Sequence, residues 1–114
     1  MSNGYVYLIH LHQQLNRGSR RDRRSVKHYL GYCHDLAARI QAHECGRGSK
    51  FMACVRRVGI GFEVVRVWHG DLALEKRLKG RKRAALLCPI CSQVQPDLFR
   101  ELSPAQIRDE LIGF

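Results

Sequence analysis

The chain opens on a run of apolar, aromatic and histidine positions, Tyr5-Val6-Tyr7-Leu8-Ile9-His10-Leu11-His12. As a strand it places Tyr5, Tyr7, Ile9 and Leu11 on one face and Val6, Leu8, His10 and His12 on the other. A second short strand is expected over residues 28–33. A third, rich in valine and aromatic residues, is expected over residues 62–68, after Gly59 and Gly61. Between them the period becomes helical. Leu36 and Ile40 stand at i and i+4, Asp35 is placed as N-cap, and Cys45-Gly46 marks an end, which predicts a helix from residue 36 to about 44. Asp71 caps a second predicted helix over residues 72–79, with Leu74 and Leu78 turned to the core and Gly80 near its end. Residues 51–58 fit either a short helix or irregular backbone. In the tail, Ser103, Pro104 and Gln106 fit a capping box that opens a final short helix. The expected fold class is α/β (α+β), a three-stranded, mainly antiparallel sheet flanked by helices over residues 1–92, with a short helical tail over residues 93–114.

Charge changes this picture by implying a partner. Across 114 residues Lys and Arg total 20 against 10 for Asp and Glu, a formal charge of +10 on a chain of single-domain length. A polyanion is the expected partner, with DNA the leading candidate. An acidic membrane surface is the competing reading. Against it, no stretch approaches the ~20 apolar residues of a spanning helix, and no strongly amphipathic basic helix stands out. The densest charge lies in residues 13–27, QQLNRGSRRDRRSVK, expected to form a long mobile hairpin loop. Read alone it is a solvated charged loop as readily as a contact. With the net charge behind it, Arg20, Arg21, Arg23, Arg24 and Lys27 are expected to neutralise phosphates and make binding salt-dependent. Arg47 and Lys50, in the glycine-rich turn at residues 46–50, and Lys79 complete the expected nucleic-acid contacts.

Five cysteines, at 33, 45, 54, 88 and 91, are an odd number, and the first residues lack the basic start and cleavage site of a signal peptide. The expectation is a cytoplasmic, intracellular protein with reduced thiols. Cys88-Pro89-Ile90-Cys91 is half of a zinc site. Cys45, Cys54, His43 or His69 could supply the other two ligands, but no second paired motif marks them, and a turn with two ordinary thiols is the preferred reading.

Arg39 and His43 form a second i, i+4 pair, expected at the edge of the helix, where an arginine fork and an imidazole suit a phosphate. Glu75 is one of few acids in the cationic stretch EKRLKGRKR. An exposed pair with Lys79 is its ordinary fate, yet a carboxylate in that setting also suits a hard divalent cation beside phosphate.

Taken in order, Tyr5-Val6-Tyr7, Tyr29-Leu30-Gly31, DLAARIQAHECGRGSKF and ALEKRLKGRKR resemble the GIY-YIG nuclease family over about residues 4–91. The resemblance implies metal-dependent endonuclease activity on DNA with Tyr7, Tyr29, Arg39, His43 and Glu75 as site residues. Tyr7 and Tyr29 would line the site, one hydroxyl activating or orienting the attacking water. Arg39 would stabilise charge on the scissile phosphate, His43 would assist proton transfer or bind that phosphate, and Glu75 would hold a single Mg2+ or Mn2+. An ordinary tyrosine is a weak base at neutral pH, so nearby cations are expected to lower its pKa. The chain departs from the family in the long interval between its tyrosine motifs. It departs again after Gly80, where Arg81, Lys82 and Arg83 stand in place of the family's frequent asparagine. The alternative is a non-catalytic nucleic-acid-binding domain on the same scaffold. Oligomeric state is left open; a homodimer is one way for such a site to cut both strands.

Overall fold

The computed structural model describes residues 4–16, 25–80, 84–93 and 101–112. Three strands, β1 (Gly4–Asn16), β2 (Ser25–Cys33) and β3 (Phe62–Gly70), form an antiparallel sheet in the order β2-β1-β3. The α+β class expected from the pattern is the one observed. Helices α1 (Leu36–Glu44) and α2 (Lys50–Arg57) lie between β2 and β3, and α3 (Leu72–Gly80), α4 (Ala84–Leu87) and α5 (Pro104–Ile112) follow.

The central strand is buried on both faces, as its nearly continuous apolar run requires. Tyr7, Ile9 and Leu11 pack with Leu36 and Ile40 of α1, Met52 and Val55 of α2 and Ile107 of α5. Val6 and Leu8 point the other way and pack with Leu30, Trp68, Leu74 of α3 and Cys88. The sheet thus separates two apolar layers.

Local signals fix the helix ends. Asp35 Oδ1 accepts from the Ala38 N–H at 3.1 Å, and Asp71 Oδ1 from that of Leu74 at 3.0 Å. The Ser103–Gln106 box closes as expected, with Ser103 Oγ accepting from Gln106 N–H at 3.2 Å and Gln106 Oε1 from Ser103 N–H at 2.8 Å. Gly46 takes φ +77° just after α1, a left-handed conformation that glycine adopts without strain.

Two expectations about segments change. The ambiguous residues 51–58 fall largely within α2, opened by Ser49 Oγ accepting from Met52 N–H at 3.1 Å. This helix is amphipathic and basic, but its apolar residues Met52 and Val55 are buried in the core while Lys50, Arg56 and Arg57 are exposed. Residues 13–16 and 25–27, expected within the loop, belong instead to β1 and β2, where pairing resumes after a register shift with Leu15 opposite Val26 and Asn16 opposite Ser25. A ladder is held by N–H and C=O groups and does not need an apolar sequence. Arg20, Arg21, Arg23 and Arg24 lie outside the described residues.

A buried cation ties the tail to the sheet. Arg66, only 5 % exposed, grips both carboxylate oxygens of Glu101 at 2.6 Å, and its guanidinium carbon lies 4.6 Å from the Trp68 ring centroid. Its Nη1 also donates to Leu87 O at 3.3 Å. Among the described residues no helix is long and apolar enough to cross a membrane.

Candidate functional site

Tyr7 stands at the middle of β1, directly opposite Gly31 of β2, while Tyr29 pairs with Ile9 one diagonal away on the same face. The glycine is required there, since a Cβ at Gly31 would overlap the Tyr7 hydroxyl. The tyrosine side chain therefore lies over the Tyr29-Leu30-Gly31 segment and reaches α1. Its hydroxyl lies 2.6 Å from His43 Nε2. Tyr29 sets its ring edge against His43, with centroids 5.3 Å apart and planes at 76°, and stacks on Phe51 of α2 at 5.5 Å and 11°. Arg39, one turn before His43, donates from Nη1 to Gly48 O at 3.4 Å and so holds the turn that covers the imidazole. Gly48 is needed for its size, because a Cβ there would overlap His43 at Nδ1.

Tyr7, Tyr29, Arg39 and His43, separated in sequence, thus meet on one side of the sheet. Two details differ from expectation. His43 is not presented at the helix edge but is fully buried, because 36, 40 and 43 continue one i, i+4, i+7 stripe toward the core. Arg39 alone remains at the half-buried edge. Nor do cations lower the pKa of Tyr7. Burial raises it well above the ordinary tyrosine value, reinforced by Tyr29 and Cys33 and only partly opposed by Arg39. Burial and Arg39 lower His43 from 6.5 to about 4, so its imidazole is neutral at neutral pH. A neutral imidazole can accept the Tyr7 proton at Nε2 while Nδ1 carries its own hydrogen. Nδ1 is buried and has no hydrogen-bond partner among the described residues.

Glu75 belongs to α3, the helix whose Leu74 packs against the opposite apolar layer. Its side chain is 13 % exposed and its Oε1 meets Lys79 Nζ at 2.6 Å, the intrahelical pair expected for an ordinary helical glutamate. No hydrogen bond or ion pair links it to Tyr7, Tyr29, Arg39 or His43 among the described residues. Arg47 and Lys50 are exposed on either side of Gly48, which gives the turn over His43 a cationic rim. Lys27, half-buried on β2, lies on the strand that carries Tyr29.

A second cluster lies elsewhere on the sheet. His10 and His28 are directly paired across β1 and β2 and approach to 3.3 Å, Nδ1 to Nε2. Cys88 Sγ lies 3.4 Å from His10 Nδ1, and Cys91 Sγ lies 3.7 Å from His10 Nδ1 and 3.5 Å from His28 Nε2. All four donor atoms fall within 4.8 Å of one another. The group could bind a metal, and thiolate with imidazole suits zinc rather than magnesium. The residues grouped with Cys88 and Cys91 are His10 and His28, which the reading of a turn with two ordinary thiols did not anticipate, and not Cys45, Cys54, His43 or His69; His43 is held by Tyr7, and His69 lies against Tyr5 with ring centroids 5.2 Å apart. The signal was the hairpin register, which pairs 10 with 28 once 9 is paired with 29. Comparison with known proteins gave no matching family model, no matching curated protein and no matching solved structure.

Proposed function

We propose that the protein is a divalent-metal-dependent endonuclease that hydrolyses DNA phosphodiester bonds through a GIY-YIG-type site. The observation that carries this reading is the meeting of Tyr7, Tyr29, Arg39 and His43, with Tyr7 bonded to the imidazole at 2.6 Å.

In this reading the forked guanidinium of Arg39 stabilises charge on the non-bridging phosphate oxygens. Tyr29, half-exposed between His43 and Phe51, orients the attacking water. His43 supplies the base that cations do not create at Tyr7. Its neutral Nε2 takes the Tyr7 proton as the Tyr7 oxygen takes one from the attacking water, the hydroxide bonds to phosphorus as the leaving oxygen departs, and the imidazolium proton passes back through Tyr7 to that oxygen. Arg47 and Lys50, together with Arg20, Arg21, Arg23, Arg24, Lys27 and Lys79, hold the DNA backbone. Glu75 offers a hard carboxylate oxygen, and magnesium commonly uses one or two carboxylates with substrate phosphate, so the residue fits Mg2+ or Mn2+. An ion held there would supply Lewis-acid polarisation to a phosphate that reaches Glu75.

The burial of both Tyr7 and His43 favours a second reading, a non-catalytic DNA-binding domain in which this pair serves the core. Incubation of the protein with supercoiled plasmid and end-labelled branched DNA, in magnesium, manganese or chelator, separates the two. Metal-dependent cutting that Glu75→Ala abolishes is the expected result. Salt-dependent binding without cutting in any metal would establish the second reading instead.

A further inference from the structure

We infer that His10, His28, Cys88 and Cys91 form a closed tetrahedral zinc site that fastens the β1–β2 hairpin to the segment following α4. This inference is independent of the nuclease reading, which uses other residues and a harder cation.

Geometry carries it first. Zinc bonds of ~2.3 Å to sulfur and ~2.0–2.1 Å to nitrogen, at tetrahedral angles, put two nitrogens about 3.3 Å apart and a nitrogen about 3.5 Å from a sulfur. The observed nitrogen pair is at 3.3 Å, three of the four nitrogen–sulfur separations are 3.4, 3.5 and 3.7 Å, and all the donor atoms lie within 4.8 Å of one another. Two strands in register and a separate turn converge on these distances from positions up to 81 residues apart.

The turn itself is closed by Ser92 N–H donating to Cys88 O at 2.9 Å, directly after Cys88 enters the core. Loading the site displaces one proton from each thiol. The two thiolates then balance the dication, so a partly buried centre carries no unpaired charge.

Four protein ligands leave no coordination position for water or substrate, which makes the centre structural rather than catalytic. In the four-residue α4 and the turn after it, Leu87 and Cys88 reach the core and Arg66 bonds Leu87 O, while Leu86 and Ile90 are exposed. Cross-linking this segment to the middle of the hairpin adds to those few anchors. It also fixes the strands whose far ends lead into the arginine-rich residues 17–24.

The test is metal analysis of untagged protein by mass spectrometry, followed by replacement of zinc with cobalt. One zinc per chain is expected, with the intense visible bands and sulfur-to-metal charge transfer of tetrahedral cobalt. Cys91→Ser and His28→Ala should each weaken affinity at least ~100-fold, given that lost supporting interactions alone cost 10–100-fold. Chelator should lower the melting temperature of the wild type and leave that of Cys91→Ser unchanged. Folded wild type that takes up no zinc on reconstitution would overturn the proposal. So would weak octahedral cobalt bands, or metal affinity equal in wild type and Cys91→Ser. Should the variants not fold, the wild-type cobalt spectrum decides by itself.

Discussion

Tyr7 and His43, 36 residues apart, share a 2.6 Å bond between the phenolic oxygen and Nε2, and both side chains are wholly buried. One bond satisfies the hydroxyl, but Nδ1 on the far side of the imidazole has no partner among the described residues. Tyr7→Phe would leave both ring nitrogens unpaired, at an expected cost of about 1–3 kcal/mol in urea unfolding. Tyr29→Phe, at a half-buried ring that stacks on Phe51, should cost less. Equal stability of Tyr7→Phe and wild type would show that the bond contributes nothing.

Acid should act on the same pair. The folded value of His43 is about 4, below its ordinary 6.5, so between those limits the unfolded chain holds the extra proton. Stability therefore rises with pH through that window and falls as pH drops from about 6.5 toward 4. The full effect is on the order of 3 kcal/mol. Unfolding curves measured from pH 7.5 to 4.5 should show this slope in the wild type and a shallower one in His43→Leu. The comparison isolates His43 from the other histidines, and parallel curves would refute its role.

These two residues also show how far the sequence reads. Helix α1 was legible because Asp35, the 36/40 stripe and Cys45-Gly46 agree with one another, and the capping box did the same for α5. The burial of His43 follows from the same stripe, but a histidine on it reads as polar and therefore as exposed. Helix α2 was ambiguous because only Met52 and Val55 turn fully inward. Arg66 broke the ordinary expectation for a charged strand residue. A register shift in the β1–β3 ladder, between Leu8 and Ile9, alters the alternation just where β3 carries Arg66, and Glu101, 35 positions later, meets the buried charge. The pairing of His10 with His28 needed a register that an arginine-rich hairpin of unknown loop length does not disclose.

Arg66 and Glu101 yield a stability prediction. Both side chains are nearly enclosed, at 6 % and 11 % exposure, and breaking a buried pair from one side costs far more than the pair's net contribution. Glu101→Gln keeps the shape and removes the charge beneath the guanidinium, with an expected loss of about 3 kcal/mol. Hydrogen exchange should rise first in residues 101–112, because this contact and the Leu102 N–H to Val67 O bond at 2.8 Å hold that segment to β3. Unchanged protection there would refute the tie.

Gly48 and Gly59 separate size from backbone conformation. A Cβ at Gly48 would overlap the imidazole of His43, whereas Gly59 adopts φ +78° with open space around it. Gly59→Ala should therefore cost about 1 kcal/mol and leave DNA cleavage unchanged. Gly48→Ala should push the turn outward and release Arg39 from Gly48 O, lowering cleavage roughly 100-fold through misplacement alone. Equal activity of the two variants would remove Gly48 from the site.

Arg39 is the sharpest test of the proposed chemistry, because it is the one member of the group that is both charged at neutral pH and accessible at the helix edge. A guanidinium that meets charge only as it develops in the transition state contributes to rate and not to affinity. Arg39→Ala should therefore lower single-turnover cleavage by about 100- to 1000-fold, while DNA affinity, carried by many other cations, weakens only a few-fold. The Gly48 O contact complicates this variant, since losing it also frees the turn. Arg39→Lys addresses that complication by restoring the charge without the fork, so recovery of affinity without recovery of rate would assign the loss to bidentate phosphate contact. Equal losses in binding and cleavage would instead make Arg39 a docking residue and return the protein to the DNA-binding reading.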